Sequence, residues 1–330
     1  MTANPKITII INSHNYAAYI GQAIDSALLQ DYPNKEVIVV DDGSTDTSPK
    51  IIASYGLAIK PIFNENMGQA RTCLSAVRQA TGDYILFLDS DDYLLPGAIA
   101  AVAAVCGPTV AKVQFQLLPV GATGEVVGKP WPKMAEQSRL ELITLIEQRG
   151  TYPTPPNSGN VHRKVIFSYI DDIDYEQSID GVACLIAPLL GEVRQIAQPL
   201  ACYRYHSSNF SDHGNLNASR FALEAQRHKA RLGHLIKIAE ENDLPVPHLV
   251  DPASHSFVHT REILKKTSEG QRPGWPLVLR YARSLSREGE TFGTKLKLWA
   301  WAFATQVSAD RLRRKLAIYR SDPHSRGSWA

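Results

Sequence analysis

The sequence predicts an α/β fold, in which a mainly parallel β-sheet is flanked by helices and followed by a helical C-terminal extension. In the first hundred residues, short apolar runs rich in β-branched side chains alternate with segments of helical spacing. Strands separated by helices of this length form βαβ units, whose strands are parallel. The last third of the chain shows helical spacing almost throughout.

Four strands and three helices are predicted in the first half. The strands are apolar at consecutive positions, as in a sheet covered on both faces, and cover residues 6–12, 36–40, 59–63 and 84–88. The helices between them have apolar residues three and four positions apart, and cover residues 17–30, 46–55 and 68–80.

The alternation is less regular from about residue 108. Strands are predicted within residues 110–118 and 193–205, and helices at 138–148, 180–191, 218–242 and most of 256–320, with breaks at Pro273, Pro276 and Gly293. Residues 151–160 (TYPTPPNSGN) predict a loop, because they contain three prolines. We expect a domain of residues 1–215, with halves 1–107 and 108–215, and a helical extension of residues 216–330.

The composition excludes several classes of protein. The net charge of +2 over 330 residues is not the basic field of a nucleic-acid-binding protein, although residues 261–330 hold 15 Lys+Arg and 6 Asp+Glu. Four separated cysteines without a CxxC pair predict isolated thiols in a reducing compartment. The sequence shows neither a secretory signal nor an apolar run long enough to span a membrane, so we expect a cytoplasmic protein.

A polar cluster follows each of the four predicted strands. The clusters are NSHNY at residues 12–16, DDGSTD at 41–46, NENMG at 64–68 and DSDD at 89–92. Because ligands bind beyond the carboxyl ends of parallel strands, the four clusters predict one site at one edge of the sheet. Alone, DDGSTD is equally typical of a turn and helix N-cap, or of a pocket whose carboxylate accepts a hydrogen bond from a base such as uracil.

The acidic cluster predicts a metal site. Asp89, Asp91 and Asp92 repel one another at a partly desolvated strand end, and a divalent cation would relieve that repulsion. Carboxylates suit Mg²⁺ and Mn²⁺, which bridge protein carboxylates and substrate phosphates. By alternation Asp89 and Asp91 point the same way, and Asp92 braces the loop. The alternative is a solvated turn whose carboxylates cap the helix ahead of Pro96.

Two stretches of the sequence resemble family 2 glycosyltransferases with a GT-A fold. They are IIINSHNYAAYIGQAIDSALLQDYPNKEVIVVDDGSTD and NENMGQARTCLSAVRQATGDYILFLDSDD, and the resemblance runs from about residue 7 to residue 98. It implies an inverting transferase that uses a nucleotide-activated sugar and Mn²⁺ or Mg²⁺. The implied metal ligand is Asp91, and the implied nucleotide-sugar-binding residues are Ser13, Asn15, Tyr16, Asp42, Asn66, Gly68, Arg71, Asp89 and Ser90.

The second half of the chain resembles the family more loosely. Residues 180–191 and 198–206 have the spacing of the family's Glu-Asp helix and of its Pro-Leu-x-x-Tyr-Arg-x-His segment, which implies that Asp180 is the general base. The pattern departs at Ile179, which replaces the glutamate, and at Pro188, which interrupts the helix. Asp180 would otherwise be a helix N-cap. If the register differs, the substitute bases are Glu176, Asp174, Asp172 and Asp171.

Arg204 and His206 lie on one face of the last predicted strand by its period of two. Both are candidates to contact the diphosphate, and His206 to complete the metal shell. The alternative is a strand with exposed polar positions. Residues 159–164 (GNVHRK) are expected to line the acceptor side only.

The basic C-terminal region contains an apolar stripe at helical spacing: Leu296, Trp299, Phe303, Val307, Leu312, Leu316 and Tyr319. It is consistent with an interfacial helix on anionic lipid, with a partner contact, or with a helix packed on the catalytic domain. We favour the packed helix, because Trp-rich amphipathic helices are common in soluble cores.

The expected reaction is transfer of a sugar, from a UDP-linked donor, to a hydroxyl on a saccharide or lipid-linked saccharide, in bacterial surface polysaccharide synthesis. No nucleic-acid partner is expected, and peripheral contact with the inner face of the membrane would use the basic C-terminal helix. One alternative is a sugar-nucleotide-binding or scaffold protein that has lost its base. The other is a nucleotidyltransferase, although NSHNYAAYI is not the expected Gly-rich basic loop.

Overall fold

A computed structural model describes residues 4–170, 173–206, 216–248 and 251–321. Within these ranges the chain forms two compact units. The first contains residues 4–142, 153–206 and 238–245, and the second contains residues 143–152, 216–237, 246–248 and 251–321. The predicted boundary at residue 215 lies outside the described residues, and the division into domains stays a prediction.

Eight strands and eleven α-helices are described. The strands are β1 (Ile7–Ser13), β2 (Lys35–Asp42), β3 (Lys60–Asn64), β4 (Tyr84–Asp89), β5 (Tyr93–Leu94), β6 (Val110–Val120), β7 (Asn160–Arg163) and β8 (Glu192–Arg204). The helices are α1 (Ile20–Leu28), α2 (Ser48–Ser54), α3 (Gln69–Gln79), α4 (Ala98–Val105), α5 (Arg139–Arg149), α6 (Asp180–Leu190), α7 (Ala218–Glu241), α8 (Ser256–Ser268), α9 (Trp275–Arg287), α10 (Phe292–Val307) and α11 (Asp310–Ser321).

The strands form one sheet in the order β3-β2-β1-β4-β7-β6-β8-β5. Strands β1 to β4 are parallel, and β8 runs parallel to β6, whereas β7 and β5 pair antiparallel with their neighbours. The prediction of a mainly parallel sheet flanked by helices, with a helical C-terminal region, is confirmed. Strands β5 and β7 were not predicted, because one has two residues and the other carries polar side chains that the sheet buries.

The register of the parallel strands brings their carboxyl ends to one edge. Ser13 lies opposite Asp41, and Asn12 lies opposite Asp89. This register is fixed by apolar side chains that leave water: Ile9, Val39 and Leu86 belong to one core with the buried face of α1. Each such side chain contributes about 1.5–3 kcal/mol when fully buried.

The second unit has its own apolar core of helices, which includes Phe221, Leu264, Tyr281, Trp301 and Ala317. The predicted breaks at Pro276 and Gly293 are wrong. Both residues lie in the first turn of a helix, where proline is tolerated because the first amide groups have no helical partner. The helices end instead at residues 268 and 287, and Pro273 lies in the connection between α8 and α9.

The expectation that the C-terminal apolar stripe is packed is also wrong for most of its residues. The buried side chains of α10 are Trp301, Ala302, Thr305 and Gln306, and Trp301 and Thr305 lie on the opposite side of the helix. The stripe itself is exposed, at 53% for Leu296, 41% for Trp299, 38% for Phe303, 47% for Val307, 53% for Leu312 and 40% for Tyr319. Helical spacing identifies an apolar face, but it does not tell which face the core covers. Of the stripe, Leu316 packs against the core.

The four cysteines are free thiols. Among the helices of the described ranges, none combines the length and the apolar character needed to cross a bilayer.

We predict that acid weakens the second unit through His228. Burial, and then the positive charges of His255, Arg231, Arg261 and Lys229, lower the pKa of His228 to about 3. His228 therefore takes up a proton near pH 6.5 in the unfolded chain but stays neutral there in the folded chain. The contribution of this difference to the free energy of unfolding is fully present above that pH and is lost as the pH falls. At about pH 5 the loss is about 2 kcal/mol.

Urea unfolding near neutral pH and at about pH 5 measures this loss, and His228→Gln should remove most of it. Glutamine preserves a hydrogen-bonding nitrogen where His228 Nε2 lies 3.0 Å from His255 Nδ1, but it does not titrate. An equal acid loss in the variant and in the wild type would contradict the assignment to His228.

Candidate active site

The site lies at the edge of the sheet where β1, β2, β3 and β4 end. Asn15 joins the first two loops at this edge. Its Oδ1 accepts hydrogen bonds from the amides of Thr45 at 2.7 Å and Asp46 at 3.3 Å, while its own amide donates to Ser44 Oγ at 2.8 Å. The loop requires a left-handed backbone at Asn15, with φ 61°, a conformation that asparagine tolerates better than most residues.

Asp42 joins the second loop to the third. Its buried carboxylate accepts hydrogen bonds from the amides of Met67 at 2.8 Å and Gly68 at 3.0 Å, and from the Thr72 hydroxyl at 2.6 Å. Gly43 lets the loops meet, because a Cβ there would lie 2.7 Å from the Asn66 amide nitrogen. The residue predicted to contact a base thus also holds the Asn66–Gly68 segment in place.

Arg71, a predicted nucleotide contact, is bonded to an aspartate of the chain in this structure. Its guanidinium forms an ion pair with Asp174, and its Nε donates to Asp174 Oδ1 at 2.8 Å. Both side chains are more than half exposed, so the pair contributes little stability. Asp174 is one of the substitute bases, and two others, Asp171 and Asp172, lie outside the described residues.

The acidic turn brings together the two predicted metal ligands, Asp91 and His206. Asp91 Oδ2 lies 3.0 Å from His206 Nε2, and both side chains are largely buried. The imidazole also packs edge-on to the Tyr16 ring, at 5.8 Å between centroids, and against Tyr19 at 4.9 Å. Asp89 has other partners, since its Oδ1 accepts from Gln69 Nε2, at the start of α3, at 3.1 Å and from Asn157 Nδ2 at 2.9 Å.

Asp92 and Arg204 fix the shape of the acidic turn through hydrogen bonds. Asp92 is buried and accepts hydrogen bonds from the Ser158 hydroxyl at 2.5 Å and the Arg204 amide at 2.9 Å. The Arg204 guanidinium donates to Asp91 O at 2.8 Å, Ala122 O at 2.9 Å and Gln22 Oε1 at 2.5 Å. Tyr19 and Tyr93 flank it, with ring centroids 4.9 and 5.3 Å from Cζ. Ser90, also a predicted contact, is buried between these aspartates.

The carboxylates of the turn affect one another's ionisation. Burial, and then the charge of Asp91, raises the pKa of Asp89 to about 7, and the charge of Asp180 acts in the same direction. Burial also raises the pKa of Asp91, against the hydrogen bond from His206. The pKa of Tyr16 is raised by burial and then by Asp91, Asp89 and Asp92. The three carboxylates of the turn are therefore costly to ionise while they are buried together.

Asp180 is the first residue of α6, and its Oδ1 accepts a hydrogen bond from the Ser178 hydroxyl at 2.5 Å. The helix N-cap is Ile179, not Asp180. Pro188 does not interrupt α6, because it lies in the last turn, where Arg139 donates to the carbonyls of Pro188 and Leu189 at 2.6 Å each. The helix behind Asp180 is therefore continuous.

A buried lysine lies under α6. Lys112 Nζ donates to Gln114 Oε1 at 2.9 Å and to Thr154 Oγ1 at 2.8 Å, and Thr154 Oγ1 lies 3.7 Å from Cys184 Sγ. Cys184 is one helical turn after Asp180, on the same face of α6. Burial lowers the pKa of Lys112, and Cys184 and Asp180 oppose that change.

Three buried polar atoms at this edge have no hydrogen-bond partner among the described residues. They are Asn12 Oδ1, Ser13 Oγ and Asn157 Oδ1. Because unsatisfied buried polar groups are costly, these atoms are typical of a site that a polar ligand completes. Ser13 is a predicted nucleotide contact, whereas Asn12 and Asn157 are not.

A divalent cation fits the turn through Asp91 and His206. A carboxylate oxygen and an imidazole nitrogen are both ligands for Mn²⁺, and a bound cation would offset the cost of burying these carboxylates, which raises their pKa values. Within the described ranges no group of three or more His, Cys, Asp or Glu side chains is arranged to hold a metal. Such a site would be completed by substrate phosphates and water, as is usual for Mg²⁺.

Sequence reasoning missed Gln69, Asn157, Ser158 and Tyr19. Asn157 and Ser158 belong to the loop with three prolines, which was predicted only as a connection. A stiff loop that ends in Asn-Ser-Gly was the available signal. Nothing in the sequence spacing indicates that its side chains reach Asp89 and Asp92, more than sixty residues earlier.

We predict that Arg204→Lys lowers the free energy of unfolding by about 2–4 kcal/mol, because an ammonium cannot make the same forked, stacked contacts. Chemical denaturation measures the change. Arg163→Lys is the matched control, because Arg163 is a half-buried arginine with a hydrogen bond to Pro108 O at 2.6 Å, and its effect should be smaller. Equal effects of the two substitutions would contradict the bracing role of Arg204.

Comparisons with known proteins identify the family and the fold of the chain. The family model for glycosyl transferase family 2 matches residues 8–107. An uncharacterized glycosyltransferase of Nostoc sp. is 30% identical over 240 residues, which are 69% of this chain and 72% of that protein.

Two solved structures share the fold. Staphylococcus aureus TarS 1–349, in complex with UDP, gives a TM-score of 0.55 at 17% identity, and the match covers 96% of this chain and 91% of that one. The mannosyltransferase PcManGT of Pyrobaculum calidifontis, with GDP-Man and Mn²⁺, gives 0.54 at 17% identity over 97% and 86%. The predicted GT-A fold is confirmed, and the chain belongs to glycosyltransferase family 2.

Proposed function

We propose that this family 2 glycosyltransferase is an inverting, metal-dependent enzyme that moves a sugar from a UDP-linked donor to an acceptor hydroxyl. The observation that carries the proposal is the acidic turn, in which Asp91 Oδ2 lies 3.0 Å from His206 Nε2 and Asp89 is held by Gln69 and Asn157. Asp180, the first residue of the continuous helix α6, is the proposed general base.

The donor would bind over the ends of β1, β2 and β4. Ser13 and Asn12 have buried oxygens without a partner among the described residues, which supports a polar ligand here. The proposed donor contacts remain Ser13, Asn15, Tyr16, Asp42, Asn66, Gly68, Arg71, Asp89, Ser90 and Arg204. The complexes of TarS with UDP and of PcManGT with GDP-Man support a nucleoside diphosphate in general.

Two of these proposed donor contacts, Arg204 and Arg71, are bonded to other residues of the chain in this structure. The Arg204 guanidinium is already bonded to carbonyl oxygens and to Gln22, so its main contribution would be to orient Asp91. Arg71 would have to exchange Asp174 for the donor, which is possible because their exposed ion pair is weak.

Mn²⁺ or Mg²⁺ would be held by Asp91 and His206. When bound, the ion neutralises charge on the departing diphosphate. The complex of PcManGT with Mn²⁺ supports the choice of metal. Gln69 and Asn157 hold Asp89 by hydrogen bonds, which leaves its second oxygen for a ribose or sugar hydroxyl.

The reaction would proceed by a single displacement. Asp180 takes the proton of the acceptor hydroxyl while that oxygen forms a bond to the anomeric carbon. The bond between the anomeric carbon and the diphosphate oxygen breaks, and the nucleoside diphosphate leaves with the electron pair. Attack from the face opposite the leaving group inverts the anomeric configuration. The Ser178 hydroxyl, bonded to Asp180 Oδ1, would keep the carboxylate oriented.

We also propose that the acceptor is a saccharide or lipid-linked saccharide of bacterial surface polysaccharide synthesis, used on the cytoplasmic side of the membrane. Family membership supports this choice. A panel of saccharide acceptors, assayed for UDP release, would identify it.

We predict that Asp180→Asn lowers kcat by about 10²- to 10⁴-fold, because asparagine cannot accept the proton. UDP release from UDP-sugars with Mn²⁺ measures turnover, and calorimetry measures UDP binding, which should be unchanged. Asp91→Asn should instead remove the part of UDP affinity that depends on Mn²⁺.

Ile179→Val is the matched control, because Ile179 is a buried neighbour whose replacement preserves the start of α6. It should retain turnover. If the wild type and Asp180→Asn both bind UDP but neither uses any sugar donor, a binding or scaffold protein is supported instead.

A further inference from the structure

The second unit exposes an apolar and aromatic surface formed by two helices. We call this the aromatic face, and its residues are Trp275 and Leu279 of α9, with Leu296, Trp299, Phe303 and Val307 of α10. Each of the six side chains is 38–57% exposed. An apolar surface of this kind marks a binding surface more often than it marks chance exposure.

The aromatic face is continuous across the two helices. The Phe303 ring lies between the two tryptophans, with centroids 5.6 Å from Trp275 and 5.4 Å from Trp299, and it stacks on Trp299 at an interplanar angle of 24°. The opposite sides of both helices fill the core with Tyr281 and Trp301. The exposure of the outward side therefore does not reflect a missing core, because the opposite sides of both helices already pack in the core of this unit.

The two helices that carry the aromatic face are basic, and so is α11, which follows them. The sequences of α9 and α10 contain no Asp or Glu, and α11 contains one acidic residue, Asp310. Exposed cationic side chains follow on all three helices: Arg280, Arg283, Arg287, Lys297, Arg311, Arg314 and Lys315. Residues 275–321 hold ten Lys+Arg and three Asp+Glu, a net charge of +7.

We propose that the aromatic face docks the enzyme on the surface of an anionic phospholipid bilayer. Tryptophan and phenylalanine rings suit the boundary between headgroups and acyl chains, and the surrounding cations suit the headgroup phosphates. A second copy of this chain is a poorer occupant, because pairing two such faces would bring two strongly basic groups of helices together, and their charges would repel. The docking does not depend on the donor or acceptor of the transferase.

The geometry also indicates attachment without insertion across the bilayer. None of the helices described in this chain is long and apolar enough to span, and the side of α10 opposite the aromatic face packs in the core of the unit through Trp301 and Ala302. The helix would lie in the plane of the interface with its aromatic side down. Because part of the attraction is between exposed charges, binding should weaken as salt screens them.

The test is sedimentation of the full chain with vesicles of phosphatidylcholine alone, or with about 30% phosphatidylglycerol. We expect binding to the anionic vesicles and little to the neutral ones, with loss of binding at about 0.5 M NaCl. Trp299→Glu with Phe303→Glu should lower the partition coefficient at least about tenfold. Leu57→Glu, at a fully exposed leucine of the first unit, is the matched control and should bind like the wild type.

Quenching of tryptophan fluorescence by brominated lipid measures contact between tryptophan and lipid in the unmodified protein. This measurement does not depend on whether the double variant folds. Trp275 and Trp299 should be quenched, and replacing both with Phe should remove the quenching. Absence of wild-type binding to anionic vesicles, or unchanged binding by a folded double variant, would overturn the proposal. A wild-type dimer that the double variant converts to a monomer, without vesicle binding, would assign the face to a second copy.

Discussion

The buried carboxylate of Asp92 joins three distant stretches of the chain. It follows β4, receives the Ser158 hydroxyl from the loop before β7, and receives the amide of Arg204 at the end of β8. Arg204 then donates from its side chain to the carbonyl of Asp91. With these bonds made, the turn has one shape, which directs Asp91 to His206 and Asp89 to Asn157. The other candidate residues are arranged around this turn.

In this arrangement, Arg204 fixes the shape of the turn without forming an ion pair with one of its carboxylates. Arg204 could pair with a carboxylate, but its guanidinium instead satisfies carbonyls, Gln22 and two aromatic rings. The acidic turn is thus firmly placed, and burial, with the charge of Asp91 acting on Asp89, raises the pKa values of Asp89 and Asp91. Burying these charges costs stability. A site for a cation and a diphosphate requires that they stay available.

Much of the first unit could be predicted from local pattern, because β1 to β4 are apolar runs between amphipathic helices. The position of Asp89 and Asp91 follows from that pattern as well. Strand β7 could not be predicted, because pairing with β4 and β6 buries its polar Asn160 and His162. Likewise, spacing revealed the apolar stripe of α10 but not its exposure, which depends on packing against other helices. The roles assigned to the site residues remain predictions.

The stretch matched by the family model ends at residue 107, but the partners of Asp92 come later, at residues 158 and 204. The matched stretch therefore does not contain all the groups that bond to Asp92. During synthesis the acidic turn leaves the ribosome about a hundred residues before Arg204, since chains grow and fold from the N-terminus. Until then the bonds from Arg204 to Asp92 and to the Asp91 carbonyl cannot form. Completion of the donor side thus depends on residues outside the matched stretch, which links the two halves of the first unit in time as well as in space.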